Sequence, residues 1–355
     1  MCSSDLYDGT ATATLTGAIA FGGIITGDTV TTDTGAMTIA FNNKHVGTAK
    51  PVSLGGIVLG GVDAGNYMAP AVSGLTADIT PLAVTLSGIT AANKTYDGTT
   101  AATVSVAGAT FTGMIGGDSL TITSTGLFTD KNVANGKTVN LTNTFGGADV
   151  SNYTITNQTT TTADITARTL TVTYTGVNKV YDATTSATVT TSDNMVAGDV
   201  LTINRTAAFV DKNAANGKTV NVTGVSLSGT DAGNYTVAAT GTTTADITKK
   251  ALTVSGLTAD NKVYDGTTNA TISGVASFSG VIVGDTVTFD TSALAGAFLD
   301  KNVGNAKPIS LSGVALGGAD AGNYEANGAG GGLTANITPR TLTIAGYSGV
   351  NKVYD

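Results

Sequence analysis

The sequence predicts an all-β protein, arranged as a tandem array of small β-sandwich domains of the immunoglobulin-like (Ig-like) type. Three observations lead to this prediction. Residue usage favours strands and turns over helices, short runs alternate apolar and polar residues, and one set of phrases recurs in the same order along the chain.

Residue usage is narrow in this chain. The 355 residues include 67 Thr and 47 Gly, and 24 of the 25 acidic residues are Asp. Glu325 and Gln158 are the sole residues of their types, although Glu and Gln are among the residues that favour helices. Thr favours the half-buried surface of a sheet, and Gly, Asp and Asn favour turns. The usage therefore predicts strands joined by turns.

Alternation of apolar and polar residues marks the strands, because such a run buries one face. The fourth copy of the repeat contains seven predicted strands: Ala251–Ser255, Thr271–Val275, Val287–Asp290, Ala295–Leu299, Pro308–Ser312, Asn323–Ala326 and Leu333–Ile337. Many short strands joined by turns predict a two-sheet sandwich. A β-grasp-like mixed sheet is the alternative, although that fold normally includes a helix and the sequence predicts none.

Repetition sets the domain organisation. The Tyr-Asp pair begins at residues 7, 96, 181, 264 and 354, so successive copies are 89, 85, 83 and 90 residues apart. This period is longer than the roughly 20–50 residues of a solenoid unit and suits a small domain that folds by itself. The predicted domains are 1–80, 81–166, 167–248 and 249–338, with 339–355 as the start of a fifth repeat. We expect repeat 1 to lack its opening strand, the chain to be a fragment, and residues 1–6 (MCSSDL) to be non-native.

Four further phrases recur between the Tyr-Asp pairs. A Gly-Asp turn has its Asp at Asp28, Asp118, Asp199 and Asp285. A DKN phrase begins at Asp130, Asp211 and Asp300, with Asn43-Lys44 in the first copy. A DAGNY-like phrase ends at Tyr67, Tyr153, Tyr235 and Tyr324, and a TADIT-like phrase ends at Thr80, Thr166, Thr248 and Thr338.

The Tyr of the NKVYD phrase is the first candidate functional residue, at Tyr96, Tyr181 and Tyr264. A large flat ring with a polar tip suits the end of a small core, so we expect a structural tyrosine; a glycan-stacking platform is the alternative. The following Asp-Gly pair predicts a turn. Ala183 takes the Gly position in one copy, so a positive φ is predicted to be preferred there and not required.

The recurring Asp residues raise the question of calcium, which binds six to eight oxygens. Each Asp stands beside Gly or Asn, so turn chemistry explains it, and no DxDxDG loop is present. His45 lies where other copies have Asn and is predicted to be a surface residue, since one His makes neither a zinc site nor a triad. We therefore predict no catalytic, cofactor-binding or metal-binding residues, and no enzyme.

Twelve of the 14 lysines fall at three repeat positions: Lys94, Lys179, Lys262, Lys352; Lys44, Lys131, Lys212, Lys301; and Lys50, Lys137, Lys218, Lys307. We expect them to protect exposed strand edges against pairing between molecules. A Lys–Asn or Lys–Asp isopeptide crosslink is the alternative.

The formal net charge is −8 and the basic residues form no stripe along the sequence, which argues against a nucleic-acid partner. No apolar run approaches the ~18 residues of a membrane span, so we expect no membrane insertion in this segment.

The phrases YDGTT, GD, DKNV-NGK, DAGNY and TADIT together resemble the YDG-type repeats, relatives of the MBG repeats. The resemblance covers nearly the whole chain from Tyr7 onward. Such repeats occur in tandem in large secreted bacterial surface proteins, including filamentous haemagglutinin-like adhesins. The resemblance implies an extracellular location at the bacterial cell surface and a structural stalk, whose partners are neighbouring repeats of the same chain. A multivalent array that binds a host-surface glycan or protein is the alternative.

Overall fold

A computed structural model describes residues 5–327 and 332–354. The described chain consists of short strands and single 3₁₀ turns, which confirms the all-β prediction. Two compact units can be distinguished: Met1–Arg168 with Gly233–Thr236, and Thr169–Ala232 with Val237–Asp355. Repeats 1 and 2 lie in the first unit, and most of repeats 3 and 4 in the second.

Repeat 1 contains six strands and a 3₁₀ turn at Ala64–Asn66. The strands are β1 (Asp5–Leu6), β2 (Thr31–Asp33), β3 (Thr38–Phe41), β4 (Gly47–Gly55), β5 (Val58–Gly60) and β6 (Thr76–Thr80). They form one sheet in the order β1-β6-β4-β3 and a separate β2-β5 pair.

Repeat 2 contains ten strands and a 3₁₀ turn at Val150–Asn152. The strands are β7 (Leu82–Ser87), β8 (Thr90–Ala91), β9 (Lys94–Thr95), β10 (Ala101–Ala102), β11 (Val104–Ser105), β12 (Thr110–Thr112), β13 (Thr121–Phe128), β14 (Ala134–Gly146), β15 (Tyr153–Thr156) and β16 (Thr160–Thr166). The sheets are β10-β13-β14-β16-β9, β12-β7-β15 and β11-β8.

Repeat 3 contains eight strands and a 3₁₀ turn at Ala232–Asn234. The strands are β17 (Arg168–Leu170), β18 (Val172–Val177), β19 (Lys179–Val180), β20 (Thr188–Asp193), β21 (Thr202–Phe209), β22 (Ala215–Ser228), β23 (Tyr235–Val237) and β24 (Gly241–Thr248). Within the second unit, strands β19, β24, β22 and β21 form one sheet in that order, and β18 pairs with β20.

Repeat 4 contains ten described strands and a 3₁₀ turn at Ala321–Asn323. The strands are β25 (Lys250–Ala259), β26 (Lys262–Val263), β27 (Asn269–Ala270), β28 (Ile272–Ser279), β29 (Thr288–Asp290), β30 (Ala295–Phe298), β31 (Gly304–Ser312), β32 (Ala315–Gly317), β33 (Tyr324–Asn327) and β34 (Thr334–Thr338). The sheets are β26-β34-β31-β30-β27, β28-β25-β33 and β29-β32. All seven strands predicted for this copy are present, within a few residues of the predicted ends.

Parallel pairing at the start of each repeat distinguishes these sheets from the purely antiparallel sheets of an Ig-like sandwich. The residues before the Tyr-Asp pair lie parallel to the end of the TADIT-like strand, as in Lys94↔Ile165 and Lys262↔Ile337. The sheets are therefore mixed, as in the alternative prediction, but without the helix of that fold in the described residues. Residues Asp5 and Leu6 take the same position beside Ile79 and Thr80. Two of the six residues expected to be non-native thus join the sheet. The other four, which include Cys2, lie outside the described residues.

The TADIT-like strand supplies the same core pattern in every repeat. Its Ala and Ile side chains are buried and its Thr side chains are exposed, as the period-two alternation requires. One Phe from another strand of the same sheet is buried in each repeat, at Phe41, Phe128, Phe209 and Phe298. The TADIT-like strand also positions the Tyr at the start of its own repeat, because the backbone N–H of Tyr96 donates to the Thr166 carbonyl at the strand end (2.8 Å).

Candidate functional site: the junction between repeats

Tyr7 of repeat 1 meets the Gly-Asp and DAGNY-like phrases of repeat 2. Its hydroxyl donates to Oδ2 of Asp118 at 2.6 Å, and the Tyr153 hydroxyl donates to the same oxygen at 2.6 Å. The two rings pack edge to face, with centroids 5.4 Å apart. Tyr7 is 1% exposed. Three phrases that are far apart in sequence thus form one cluster.

Lys44 of the first DKN-like phrase completes this cluster. Its Nζ lies 2.8 Å from Oδ1 of Asp118 and 5.9 Å from the centre of the Tyr7 ring. Burial acts to raise the pKa of the Asp118 carboxyl, but hydrogen bonds from Lys44, Tyr153 and Tyr7 outweigh it and lower that pKa to about 2. Burial and the bond to Asp118 raise the pKa of Tyr153 to about 12. The site thus holds an ionised carboxylate between neutral phenols and an ammonium group.

The second unit repeats this arrangement between repeats 3 and 4. The Tyr181 and Tyr324 hydroxyls donate to Oδ2 of Asp285 at 2.9 and 2.6 Å, and Lys212 lies 3.2 Å from Oδ1. The rings of the two tyrosines again pack edge to face at 5.4 Å. Hydrogen bonds from Tyr324, Tyr181 and Lys212 lower the pKa of Asp285 against the effect of burial. Two independent copies of one cluster show that the repeated phrases specify it.

The Asn of the DAGNY-like phrase makes a second link between repeats. The Asn152 side-chain oxygen accepts the Val46 N–H at 3.1 Å, and Asn323 accepts the Ala214 N–H at 2.8 Å. In the first unit Asn234 accepts the Val133 N–H at 2.9 Å. These three Asn side chains are among the few buried polar groups. A buried amide with such partners fixes one backbone against the next.

His45 takes part in this second link. The prediction that His45 is a surface residue did not include this contact. Its Nδ1 lies 3.4 Å from Nδ2 of Asn152. Asn132 and Asn213 make the corresponding contacts, to Asn234 at 3.2 Å and to Asn323 at 3.3 Å. His45 is exposed as predicted, but it takes the place of an Asn that binds the next repeat.

Local turns hold the acceptor side of the junction in place. Oδ2 of Asp149 accepts the Ser119 N–H at 2.9 Å, directly after the Gly-Asp turn. The Tyr153 hydroxyl accepts the Ile115 N–H at 3.0 Å while it donates to Asp118. Repeat 1 carries the same arrangement, because Tyr67 donates to Asp28 at 2.7 Å and accepts the Ile25 N–H at 3.0 Å. The acceptor side is therefore preformed within its own repeat.

The tyrosines of the Tyr-Asp pair confirm the structural prediction in part. Tyr7, Tyr96 and Tyr181 are each 1% exposed, whereas Tyr264 is only partly buried. The residues that cover Tyr7 and Tyr181 come from the following repeat, which sequence reasoning missed. The signal was the joint recurrence of the phrases: residues that bind each other across a junction must recur together.

The strand-edge prediction for the lysines is wrong for the third set, which lies on the inner strands β4, β14, β22 and β31, whereas the first set lies on the edge strands β9, β19 and β26. In the first set, Lys94 Nζ contacts Asp97 (2.8 Å) and the Thr99 carbonyl (2.7 Å), which clamps the turn after Tyr96. In the third set, three lysines pair with the Asp that opens the DKN phrase: Lys137 with Asp130, Lys218 with Asp211 and Lys307 with Asp300. The lysines of both sets are mostly buried because they close loops.

Ala183 keeps a positive φ of 63°, close to the 79° and 84° of Gly98 and Gly266 at the same turn position. The prediction that a positive φ is preferred there but not required was therefore wrong for this copy: the turn imposes the left-handed conformation on a residue with a Cβ.

No group of three or more His, Cys, Asp or Glu residues within 5–327 and 332–354 is placed to hold a metal ion. At the two junctions, Tyr and Lys donors surround the Asp oxygens instead.

The four repeats correspond to four matches to one known domain family. The YDG domain matches the chain four times in tandem, over residues 3–74, 80–162, 166–244 and 248–330. A search of curated proteins found no match. In the described residues the helical segments are three-residue turns, and none is fit to cross a membrane. A YDG array with an all-β fold is not typical of enzymes. The matches cover most of the sequence, so the chain belongs to the YDG domain family and carries four copies of that domain.

Proposed function

We propose that this chain is a structural stalk segment of a large secreted bacterial surface adhesin, where it projects an adhesive region from the cell. The observation that supports this proposal most is the cluster of Tyr7, Asp118, Lys44 and Tyr153, together with its copy in the second unit. At these two junctions the recurring Tyr, Asp and Lys side chains contact each other across repeats, so they are occupied and not open to a ligand.

Stiffness is the property that such a junction gives to a tandem array. A flexible linker lets neighbouring domains sample many orientations, which shortens the mean reach of a chain. The junction instead fixes the Asp118 side chain with three donors and adds the Asn152 link. The extracellular, cell-surface location rests on the resemblance of the phrases to repeats of secreted adhesins.

Two measurements on the full chain test the stalk function. Fluorescent labels in repeats 1 and 2 should report a narrow distance distribution, which Asp118→Asn should broaden. Binding to a glycan array and to host cells should be at background level. Binding that is abolished by Tyr7→Phe, with the distance distribution unchanged, would contradict the stalk and favour a multivalent binding array.

A further inference from the structure

The first and last segments of repeat 2 run side by side in the same direction. Strand β7 lies parallel to β15, with Leu82 beside Tyr153, and β9 lies parallel to β16, with Thr95 beside Thr166. The sequence separation is 71 in both pairs (153 − 82 and 166 − 95). Segments 82–95 and 153–166 therefore keep one register, and we call them the terminal pair. The chain enters the repeat at one end of this pair and leaves it at the other.

Two side chains continue the terminal pair where its strands are interrupted. The Ile89 N–H donates to Oε1 of Gln158 at 3.0 Å, and Nε2 of Gln158 donates back to the Ile89 carbonyl at 2.9 Å. Further along, Oδ1 of Asn93 accepts the Asp164 N–H at 2.7 Å. The sole Gln of the chain and the Asn before Lys94 thus take the place of backbone partners.

The terminal pair recurs in the second unit. In repeat 4, β25 lies parallel to β33 and β26 lies parallel to β34, and Asn261 accepts the Asn336 N–H at 2.7 Å. In repeat 3, β19 lies parallel to β24, and Asn178 accepts the Asp246 N–H at 2.8 Å. The Asn of the NKVYD phrase therefore binds the TADIT-like phrase of its own repeat each time.

Parallel pairing of this kind determines how a repeat responds to tension. A pull along the chain moves residues 82 and 166 apart, which slides the two segments past each other. The hydrogen bonds of a parallel pair are evenly spaced along the strands, so sliding strains them together. Peeling the same pair from one end would strain them one after another. Each bond alone contributes little to stability, so this sharing of the load decides the resistance.

We propose that the terminal pair bears mechanical load: it holds a repeat folded while tension acts along the chain, by resisting shear. The proposal rests on the proposed stalk function for the direction of that tension, since an adhesive region under load would pull on the array from one end. The shear geometry belongs to each repeat by itself. Resistance to force is a matter of the unfolding rate, which the strained bonds of the terminal pair limit.

Single-molecule force spectroscopy on the full chain tests the direction of loading. In a Cys2→Ser background, DNA handles on Ala83→Cys and Thr166→Cys load the terminal pair of repeat 2 in shear. Handles on Ala92→Cys and Thr166→Cys act near one end and peel it. All three handle positions are exposed. Both geometries should release about 25 nm of chain. Shear should need at least about twice the force of peeling, because the bonds share the load. Equal forces, or a lower force in shear, would overturn the proposal.

Gln158→Ala tests the side chains that continue the pair. It removes the two bonds to Ile89, so it should lower the rupture force in shear and leave the first rupture in the peeling geometry unchanged. Lys137→Met is the matched control in the same repeat, because Lys137 closes the DKN loop through Asp130 and lies outside the terminal pair. It should leave the rupture force in shear unchanged. A lower force in Lys137→Met than in Gln158→Ala would refute the role of the terminal pair.

Failure of this proposal can be told apart from failure of the stalk function. A narrow distance distribution between repeats 1 and 2, with rupture forces that do not depend on direction, would leave the stalk and exclude the load-bearing pair. Glycan or host-cell binding, with direction-dependent forces, would exclude the stalk function and leave the shear resistance of the repeat.

Discussion

Tyr7 and Asp118 are 111 residues apart in sequence, and a 2.6 Å hydrogen bond joins them across two repeats. Tyr181 and Asp285 stand in the same relationship, at 104 residues and 2.9 Å. In both pairs the carboxylate also accepts from the Tyr of its own repeat and lies within 3.2 Å of a lysine from the preceding repeat. Repeats 1 and 2 are thus joined through one carboxylate, and so are repeats 3 and 4.

Asp118→Asn is expected to destabilise the first unit. Its side chain is 3% exposed, and the substitution removes the charge that Lys44 and two phenols contact. Loss of hydrogen bonds to a buried charged group costs on the order of 2 kcal/mol, which corresponds to a fall in melting temperature of roughly 4–8 °C for a unit of this size. Calorimetry of the full chain measures this fall in melting temperature, and hydrogen exchange assigns the transition to the first unit.

Asp28→Asn is the matched control for that experiment. Asp28 belongs to the same phrase and accepts a bond from Tyr67 of its own repeat. Its substitution should shift the transition much less. Equal shifts for both variants would show that the carboxylate acts within its repeat and not across the junction.

The tyrosine pKa values predict an alkaline transition. Burial and the bond to an aspartate raise the pKa of Tyr153 and of Tyr324 from 10.0 to about 12. Since the folded value lies above the unfolded one, this contribution to stability is full below pH 10 and is lost as the pH rises through 12. A titration of phenolate absorbance should show a fraction of tyrosines that ionise only near pH 12. In Asp118→Asn that fraction should shrink; an unchanged titration would contradict the proposed role of the carboxylate.

No isopeptide bond is expected, although three lysines contact the Asp that opens the DKN phrase. The bonds from Lys137 and from the Asn132 N–H lower the pKa of Asp130, so its carboxyl group is ionised. Amide formation needs the neutral acid and the neutral amine. The intact mass of the full chain should therefore equal the mass calculated from its sequence without crosslinks. A deficit of one water per pair would contradict this expectation, and Lys137→Arg would then identify the bond.

The all-β fold and the repeat family could be predicted because both depend on local patterns, which the sequence shows directly. The seven strands of repeat 4 follow from alternation of apolar and polar residues. The mixed pairing could not be predicted, since the strand before Tyr264 has only two residues and no alternation to identify its neighbour. The junction was missed for a related reason. Turn chemistry explained Asp118 fully, and nothing local in the sequence shows that its remaining oxygen positions accept bonds from another repeat.

Ala183→Gly is expected to stabilise the second unit. An Ala at a φ of 63° is strained, and Gly adopts this conformation without that cost. The gain, after the entropy that Gly loses on folding, should be about 0.5–1 kcal/mol, or a rise of roughly 1–4 °C in melting temperature. Gly266→Ala is the reciprocal variant at the same turn of the next repeat, where a Cβ meets open space. It should lower stability by a similar amount. A loss of stability in Ala183→Gly would show that the turn does not strain Ala.

Truncation of the Tyr in the Tyr-Asp pair should depend on the repeat in which it lies. Tyr181 is 1% exposed, packs on the Tyr324 ring and donates to Asp285, so Tyr181→Ala removes a buried ring and leaves a buried carboxylate with one donor fewer. The cost of deleting a large buried aromatic is roughly 3–5 kcal/mol, which predicts a fall of about 10 °C in the melting temperature of the second unit. Tyr264→Ala is the matched control in the same unit, because Tyr264 occupies the same phrase but is only partly buried. Its effect should be less than half as large. Equal losses for both variants would mean that each tyrosine stabilises its own repeat alone, and the junction would then contribute little to the stability of the array.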